Sequence, residues 1–276
     1  MNAVRLTTRR VEKPWGRRDL LPAFGDVPPG GAPVGEIWFE DPRGGGTPAL
    51  LIKFLFTSQK LSVQVHPDDA MARAAGHASG KEEAWLVLEA EPDASIGIGL
   101  RAPVDRARLR AAARDGSIDA MLDWRPARAG DYYYSPAGTI HSLGPGLKLV
   151  EVQQYADLTY RLYDFGRPRA LHLDEAVAAA DPVPYLPPFE PRRTSDGRLI
   201  LAQGRKFVLE RWSGPRQAML RATAERPCWL IPVAGTIGLD EQPLAPGTVW
   251  LAEGEGAVAL ADDADLLVAY SGAIPL

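Results

Sequence analysis

Residues 60–69, "KLSVQVHPDD", decide the reading of this chain. Ser62, Gln64 and His66 occupy every second position, and Leu61, Val63 and Val65 fill the gaps. A strand advances about 3.3 Å per residue and sends alternate side chains to opposite faces. The pattern predicts a strand whose polar side chains share one face, roughly 6 to 7 Å apart, while Leu61, Val63 and Val65 enter a core. A polar strand face ordinarily meets solvent. Here it ends on a histidine, with a glutamine two residues before it, and Pro67 then stops the ladder. Asp68 and Asp69 favour the start of a helix.

The same kind of short run recurs outward from this point. "GEIWFE", "ALLIKFLF", "EAWLVLEA" and "LKLVEVQQY" are apolar strands separated by turns, in a chain with 27 Gly and 25 Pro. Evenly spaced short strands predict an all-β sandwich or barrel. Helical stretches are few: 67–76, opened by Pro and two acids, 104–124 as one or two helices, and 171–180 with Asp174 near its start. A Pro-rich stretch, "DPVPYLPPFEPRR" (181–193), reads as a linker. Strands resume beyond it in "KFVLERW", "PCWLIPVAGTIGL", "GTVWLAEG" and "ADLLVAYSG". The expected organisation is a first domain over 1–180, the linker over 181–193, and a smaller β lobe over 194–276. All four histidines lie at or before position 172, so histidine-based metal chemistry belongs to the first part. The only low-complexity tract is "GGG" at 44–46.

With 276 residues the chain is long enough to bury a sizeable core. Hydrophobic residues make up 46% and charged residues 24%, the balance of a soluble globular protein. A formal net charge of -4 favours neither nucleic acid nor an anionic membrane, so an anionic ligand must be drawn by local basic groups. The single cysteine, Cys228, excludes an intrachain disulfide and a cysteine-rich zinc site. No signal peptide or membrane-length apolar run is found, and the expectation is a cytoplasmic protein.

Two further segments give the polar strand face a purpose. In "GKEEAWLVLEA" (80–90), Glu82 and Glu83 are adjacent and point to opposite faces, so one of them can lie beside His66. In "GDYYYSPAGTIHSLG" (130–144), Gly130, Pro136, Gly138 and His141 have the spacing of the second motif of the cupin family. That family's first motif has a His-x-His pair, where this chain has Gln64-Val65-His66, and its Asn four positions after the histidine is Pro145 here. The set Gln-x-His, Lys-x-Glu-x-Trp and "PAGTIHSLG" resembles a narrower group, the type I phosphomannose isomerases. "KPWG" (13–16), "GEIW" (35–38), "LLIKF" (50–54) and "EVQQYADLTYRLYDFGRPRALHL" (151–173) follow in that family's order, so the resemblance covers about residues 11 to 180.

The resemblance implies a mainly β, cupin-like jelly roll with a few helices and a second, metal-free β lobe that closes the cavity or packs the barrel. It implies one Zn²⁺ per chain on Gln64, His66, Glu83 and His141. Two imidazoles and a carboxylate suit zinc, with bonds of about 2.0 to 2.2 Å, and also suit other divalent metals. The neutral amide of Gln64 is the weakest of the four. Lys53, set among Leu, Ile and Phe, must extend its ammonium to water or find an anion. By resemblance, Lys53, Ser62, Lys81, Asp157 and Arg161 meet substrate, and Glu151, Lys81 and Arg161 carry catalysis. Tyr155 stands where many members have Asn. His172 reads as structural or surface, and His77 as an exposed loop residue.

The reaction implied is the interconversion of mannose 6-phosphate and fructose 6-phosphate, a proton moving between C2 and C1 through a cis-enediol. Glu151, Lys81 with a lowered pKa, and zinc-bound water are the candidates for the proton carrier. Ser62 with Lys53 or Arg161 is the candidate phosphate site. The expected partner is a sugar phosphate, with no nucleic acid and no membrane, and the chain is expected as a monomer with weak association as the alternative. The rival readings are an isomerase of another sugar phosphate, left open by Tyr155, a sugar-phosphate-binding cupin without catalysis, and an iron dioxygenase. A lysine- and arginine-rich cavity and the missing His-x-His speak against the dioxygenase. Guanylyltransferase chemistry has no support, because "DPRGGGTP" lacks the Gly-Lys-Ser/Thr ending of a P-loop.

Overall fold

The computed structural model describes residues 1–44 and 47–275, so Gly45 and Gly46 of the "GGG" tract lie outside it. The chain is mainly antiparallel β, with a few short helices. A six-stranded sheet runs in the order Thr7–Arg17, Val34–Glu40, Leu50–Phe56, Leu147–Gln154, Glu83–Ala90, Tyr132–Ser135. A five-stranded sheet runs Tyr160–Tyr163, Val63–Val65, His141–Leu143, Ser95–Leu100, Leu122–Pro126. The remaining strands form a third sheet that gathers residues 192–271.

Alternation along each strand decides what packs where. In Leu50–Phe56, Leu50, Ile52, Phe54 and Phe56 turn outward and share a core with Leu201, Phe207, Leu209, Trp229 and Leu267 of the third sheet. Leu55 turns the other way, and joins Trp85, Val87 and Leu149 of its own sheet and Ile96, Ile98 and Leu143 of the five-stranded sheet. The two N-terminal sheets thus face one another across an apolar core. Val63 and Val65 point away from that core, into a third cluster under the helices Arg106–Asp115, Ile118–Met121 and Leu173–Ala179.

Most local expectations hold, with two differences. Helix Asp69–Ala74 starts where Pro67 and the acids predict, and the Asp68 side chain caps it by accepting from Met71 N. The 104–124 stretch gives two helices, but its end, from Leu122 through Trp124, is a strand. Leu61 does not share a core with Val63 and Val65. It precedes the regular strand and packs between the sheets with Trp15. The Pro-rich stretch is docked along part of its length: Pro182 O accepts from Val104 N, Val183 O accepts from Leu100 N, and Tyr185 Oη donates to Tyr134 O. Asn2–Arg5 leaves the N-terminal sheets altogether and pairs with Trp250–Glu253. Among the described residues no helix is long and apolar enough to cross a membrane.

Candidate metal centre and substrate cleft

Register aligns the polar side chains of the inner faces. In the five-stranded sheet Arg161, Gln64 and His141 lie side by side on three adjacent strands. In the six-stranded sheet Gln153, Glu83 and Ser135 form one row, and Trp38, Lys53, Glu151, Trp85 and Tyr133 the next. Glu83 reaches across the space between the sheets. His66 Nε2 lies 3.1 Å and His141 Nε2 2.9 Å from Glu83 Oε1, and all three side chains are buried. Gln64 joins them, with its Nε2 3.1 Å from His141 Nε2 and its Oε1 3.0 Å from Ser62 Oγ.

Both imidazoles are oriented from behind. His66 Nδ1 is 2.8 Å from Leu158 O, and His141 Nδ1 is 3.0 Å from Thr139 O. A carbonyl oxygen only accepts, so each Nδ1 carries the hydrogen and each Nε2 of a neutral ring offers a lone pair. Burial, aided by the Lys81 ammonium, pushes the His66 pKa down to about 4, which keeps that ring neutral. Two lone pairs and a carboxylate oxygen therefore converge, all within 4.8 Å of one another. That arrangement is electrostatically unfavourable by itself and favourable around a cation. The donor set and its carbonyl-anchored rings fit a divalent metal.

Local sequence explains how His66 and His141 are aimed. Thr139 N donates to Pro136 O to close a turn, and Gly138 takes φ +88, a conformation that L side chains rarely adopt. A Cβ there would also meet Asp181 Oδ2 at 2.6 Å. Gly138 N donates to His66 O at 2.9 Å, so the turn that delivers His141 also holds His66.

Beside this centre, sharing Gln64 with it, lies a cleft lined by Lys53, Ser62, Gln64, Lys81, Glu151, Asp157 and Arg161, with all of the anticipated substrate residues among them, while His66, Glu83 and His141 stay behind its lining. The Lys53 ammonium finds its anions in Glu151 at 3.3 Å and Glu36 at 3.6 Å, and sits 4.4 Å from the centre of the Trp38 ring. Trp85 Nε1 donates to the second Glu151 oxygen at 2.8 Å. Burial raises the Glu151 pKa against the opposing pull of Lys81 and Lys53. Lys81 lies 2.7 Å from Glu83 Oε2, a close ion pair without hydrogen-bond alignment. Burial works to lower the Lys81 pKa, but Glu83 and Glu151 outweigh it, and the ammonium is held above its ordinary value rather than below it. Arg161 Nε is buried and donates to nothing among the described residues, and burial together with nearby Arg169 lowers the Arg161 pKa.

Further cleft residues were not singled out from sequence: Lys13, Glu36, Thr159 and Arg169. Lys13 and Glu36 lie inside "KPWG" and "GEIW", and pair with each other at 3.3 Å. Arg169 is locked by two bonds of 2.6 Å to the buried carboxylate of Asp164. Its signal was an arginine close behind an acid in "DFGRPR". His172 lies outside the cleft lining, yet its Nδ1 accepts from Arg161 N and its own N–H donates to Arg161 O, so it clamps that backbone. His77 is an exposed loop residue.

No family model matches the chain. The mannose-6-phosphate isomerase of Streptococcus mutans is 34% identical over 215 residues, taking in 72% of this chain and 66% of that protein. The solved mannose 6-phosphate isomerase of Bacillus subtilis has a TM-score of 0.82 and 25% identity, covering 98% of this chain and 99% of that one. The chain belongs to the type I mannose-6-phosphate isomerase family. It spans two thirds or less of the length of the curated mannose-6-phosphate isomerases it matches. A zinc-bound mannose 6-phosphate isomerase of solved structure, 15% identical, shares the fold with a TM-score of 0.65 over 99% of this chain and 100% of that one.

Proposed function

We propose that this chain is a zinc-dependent aldose–ketose isomerase that interconverts mannose 6-phosphate and fructose 6-phosphate. The observation that carries the reading is the meeting of His66, His141, Glu83 and Gln64 at one side of a cleft that also holds Lys53, Lys81, Glu151 and Arg161. His66, Glu83 and His141 hold the metal, one ion per chain. Gln64 would complete the set through its amide oxygen. The bound dication supplies Lewis acidity that orients and polarises substrate oxygens.

The chain's own groups do the rest. Arg161 has a partly desolvated guanidinium whose Nε has no hydrogen-bond partner among the described residues, and stabilises oxyanion character that develops during enolisation. Glu151 is the favoured proton carrier between C2 and C1. Its carboxyl is buried, its pKa is already raised, and Trp85 fixes its orientation. Lys81, held protonated, serves as a cationic anchor and hydrogen-bond donor rather than as the base. From the cleft wall Ser62 donates its hydroxyl to phosphate or a sugar oxygen, Asp157 accepts from sugar hydroxyls, and Lys53 balances Glu151. Residues 194–276 act as a metal-free lobe joined through 181–193, and the chain works as a cytoplasmic monomer.

A coupled assay for fructose 6-phosphate formed from mannose 6-phosphate, run before and after chelation and zinc add-back, tests this. Turnover lost with chelator and restored by zinc is the expected result. A folded, zinc-loaded sample without turnover overturns it. Other sugar phosphates are then the next substrates to assay, since Tyr155 replaces a common Asn near Asp157.

A further inference from the structure

Lys81 enters the cleft from a segment that precedes regular strand, and the strand begins at Glu83, the carboxylate of the candidate metal centre. This segment is held from outside the cleft. Gly80 N donates to Asp69 Oδ1 at 2.9 Å. Glu82 N donates to Gln154 Oε1 at 3.0 Å, and Gln154 Nε2 donates to the same Asp69 oxygen at 3.1 Å. One carboxylate oxygen thus fixes the backbone on both sides of Lys81. The approach is tight, because a Cβ on Gly80 would sit 2.4 Å from the Asp68 carbonyl carbon.

The other oxygen, Asp69 Oδ2, meets Lys206 Nζ at 2.5 Å. Lys206 belongs to the C-terminal lobe, at the turn before strand Phe207–Ser213. The same turn presses on the segment a second time. Tyr134 donates its hydroxyl to Glu82, and Phe207 packs edge-on against the Tyr134 ring at 5.6 Å. Gly204 lies so near that a Cβ would fall 2.0 Å from Tyr134 Oη.

We propose that Lys206 is a positioning residue, through which the metal-free lobe sets the placement of Lys81 and Glu83 in the N-terminal cleft. This rests on the reading of Glu83 as a metal ligand. An ammonium on Oδ2 holds the plane of the Asp69 carboxylate, and so keeps Oδ1 aimed at Gly80 and Gln154. Without it, Arg73, 3.7 Å from Oδ2 and one helical turn on, competes for the carboxylate. Rotation toward Arg73 releases Gly80 N and Gln154 together.

The test uses the full chain with cobalt(II) as a coloured probe, in Lys206→Met, Lys206→Arg and Val258→Ala. Val258 is buried in the C-terminal lobe's own core and controls for general destabilisation. Amide hydrogen exchange is read at residues 80–82, and cobalt affinity by visible absorption. Lys206→Met is expected to speed exchange about tenfold and weaken cobalt about tenfold, the lower end for loss of an outer-sphere support. Lys206→Arg restores both, and Val258→Ala moves neither. Unchanged exchange and affinity in Lys206→Met, failed rescue by arginine, or equal effects from Val258→Ala overturn the proposal. A wild-type chain that binds no cobalt overturns the metal reading instead, and exchange at 80–82 then decides the strut alone.

Discussion

Lys53 and Glu151 stand directly opposite one another on neighbouring antiparallel strands, Nζ to Oε1 at 3.3 Å, each about 95% buried. Their charges are paired deep in the inner face, with Glu36 as a second anion and Trp38 and Trp85 as flanking donors. Removing one member of a buried pair strands the other, which costs about 3–5 kcal/mol. Lys13 and Lys81 soften that loss here. Lys53→Met is therefore expected to destabilise the fold by about 2 kcal/mol, read as a lower urea midpoint with an unchanged slope. A midpoint equal to wild type would show that the pair adds no net stability.

His66→Ala and His141→Ala each remove one of the three converging side chains proposed to hold the metal. Bound zinc, measured by elemental analysis after dialysis, is expected to fall below about a tenth of the wild-type value, with the far-UV circular dichroism intact. Full zinc occupancy in either variant would remove that histidine from the ligand set.

Arg161→Ala separates binding of metal from turnover. Zinc content should stay as in wild type, while kcat drops by about 10²- to 10³-fold, the size expected for a lost oxyanion-stabilising group. His172→Ala, which loosens only the backbone that presents Arg161, should lose less. Near-normal turnover in Arg161→Ala would take the guanidinium out of the mechanism.

Asp69 gives the fold an acid-sensitive joint. Burial works to raise its pKa, but hydrogen bonds from Lys206, Gly80 N and Gln154 prevail and hold it at about 2. An unfolded Asp titrates near 3.9, so the stabilisation is complete above about pH 5 and drains away as pH falls toward 2. The side chain is partly open to solvent, which limits the effect to about 1 kcal/mol. The urea-midpoint difference between wild type and Asp69→Asn should shrink from pH 6 to pH 3. A difference constant across that range contradicts this.

Much of the site was written in alternation. The shared face of Ser62, Gln64 and His66 follows from period two, and the turn of Pro136 and Gly138 has its own signature, whereas alternation left Glu82 and Glu83 equivalent and only the family resemblance chose Glu83. Of the cleft residues that escaped, Lys13 and Glu36 are ordinary charges by local sequence and only their pairing across strands makes them part of the cleft, whereas Arg169 pairs locally with Asp164. Leu61 misled because the regular strand starts after it, at Val63, so its side chain takes the opposite core. Trp124 was drawn into a helix by the alanine-rich run before it, whereas cross-strand pairing of Trp124 with Gly97 decides its conformation. The support of residues 80–83 by Lys206 joins positions over 120 apart, which no local pattern records.

The pairing of Asn2 with Glu253 links positions 251 apart, and it bears on how the molecule comes into being. At about 5–20 residues per second, a ribosome needs roughly 13 to 50 s between making one and the other. The sheet beginning at Thr7 can condense in that interval, while residues 2–5 wait as an unsatisfied edge beside it. Residues 250–253 then close over residues 2–5, so a nascent chain stalled before residue 250 carries an exposed strand that invites pairing with a neighbour.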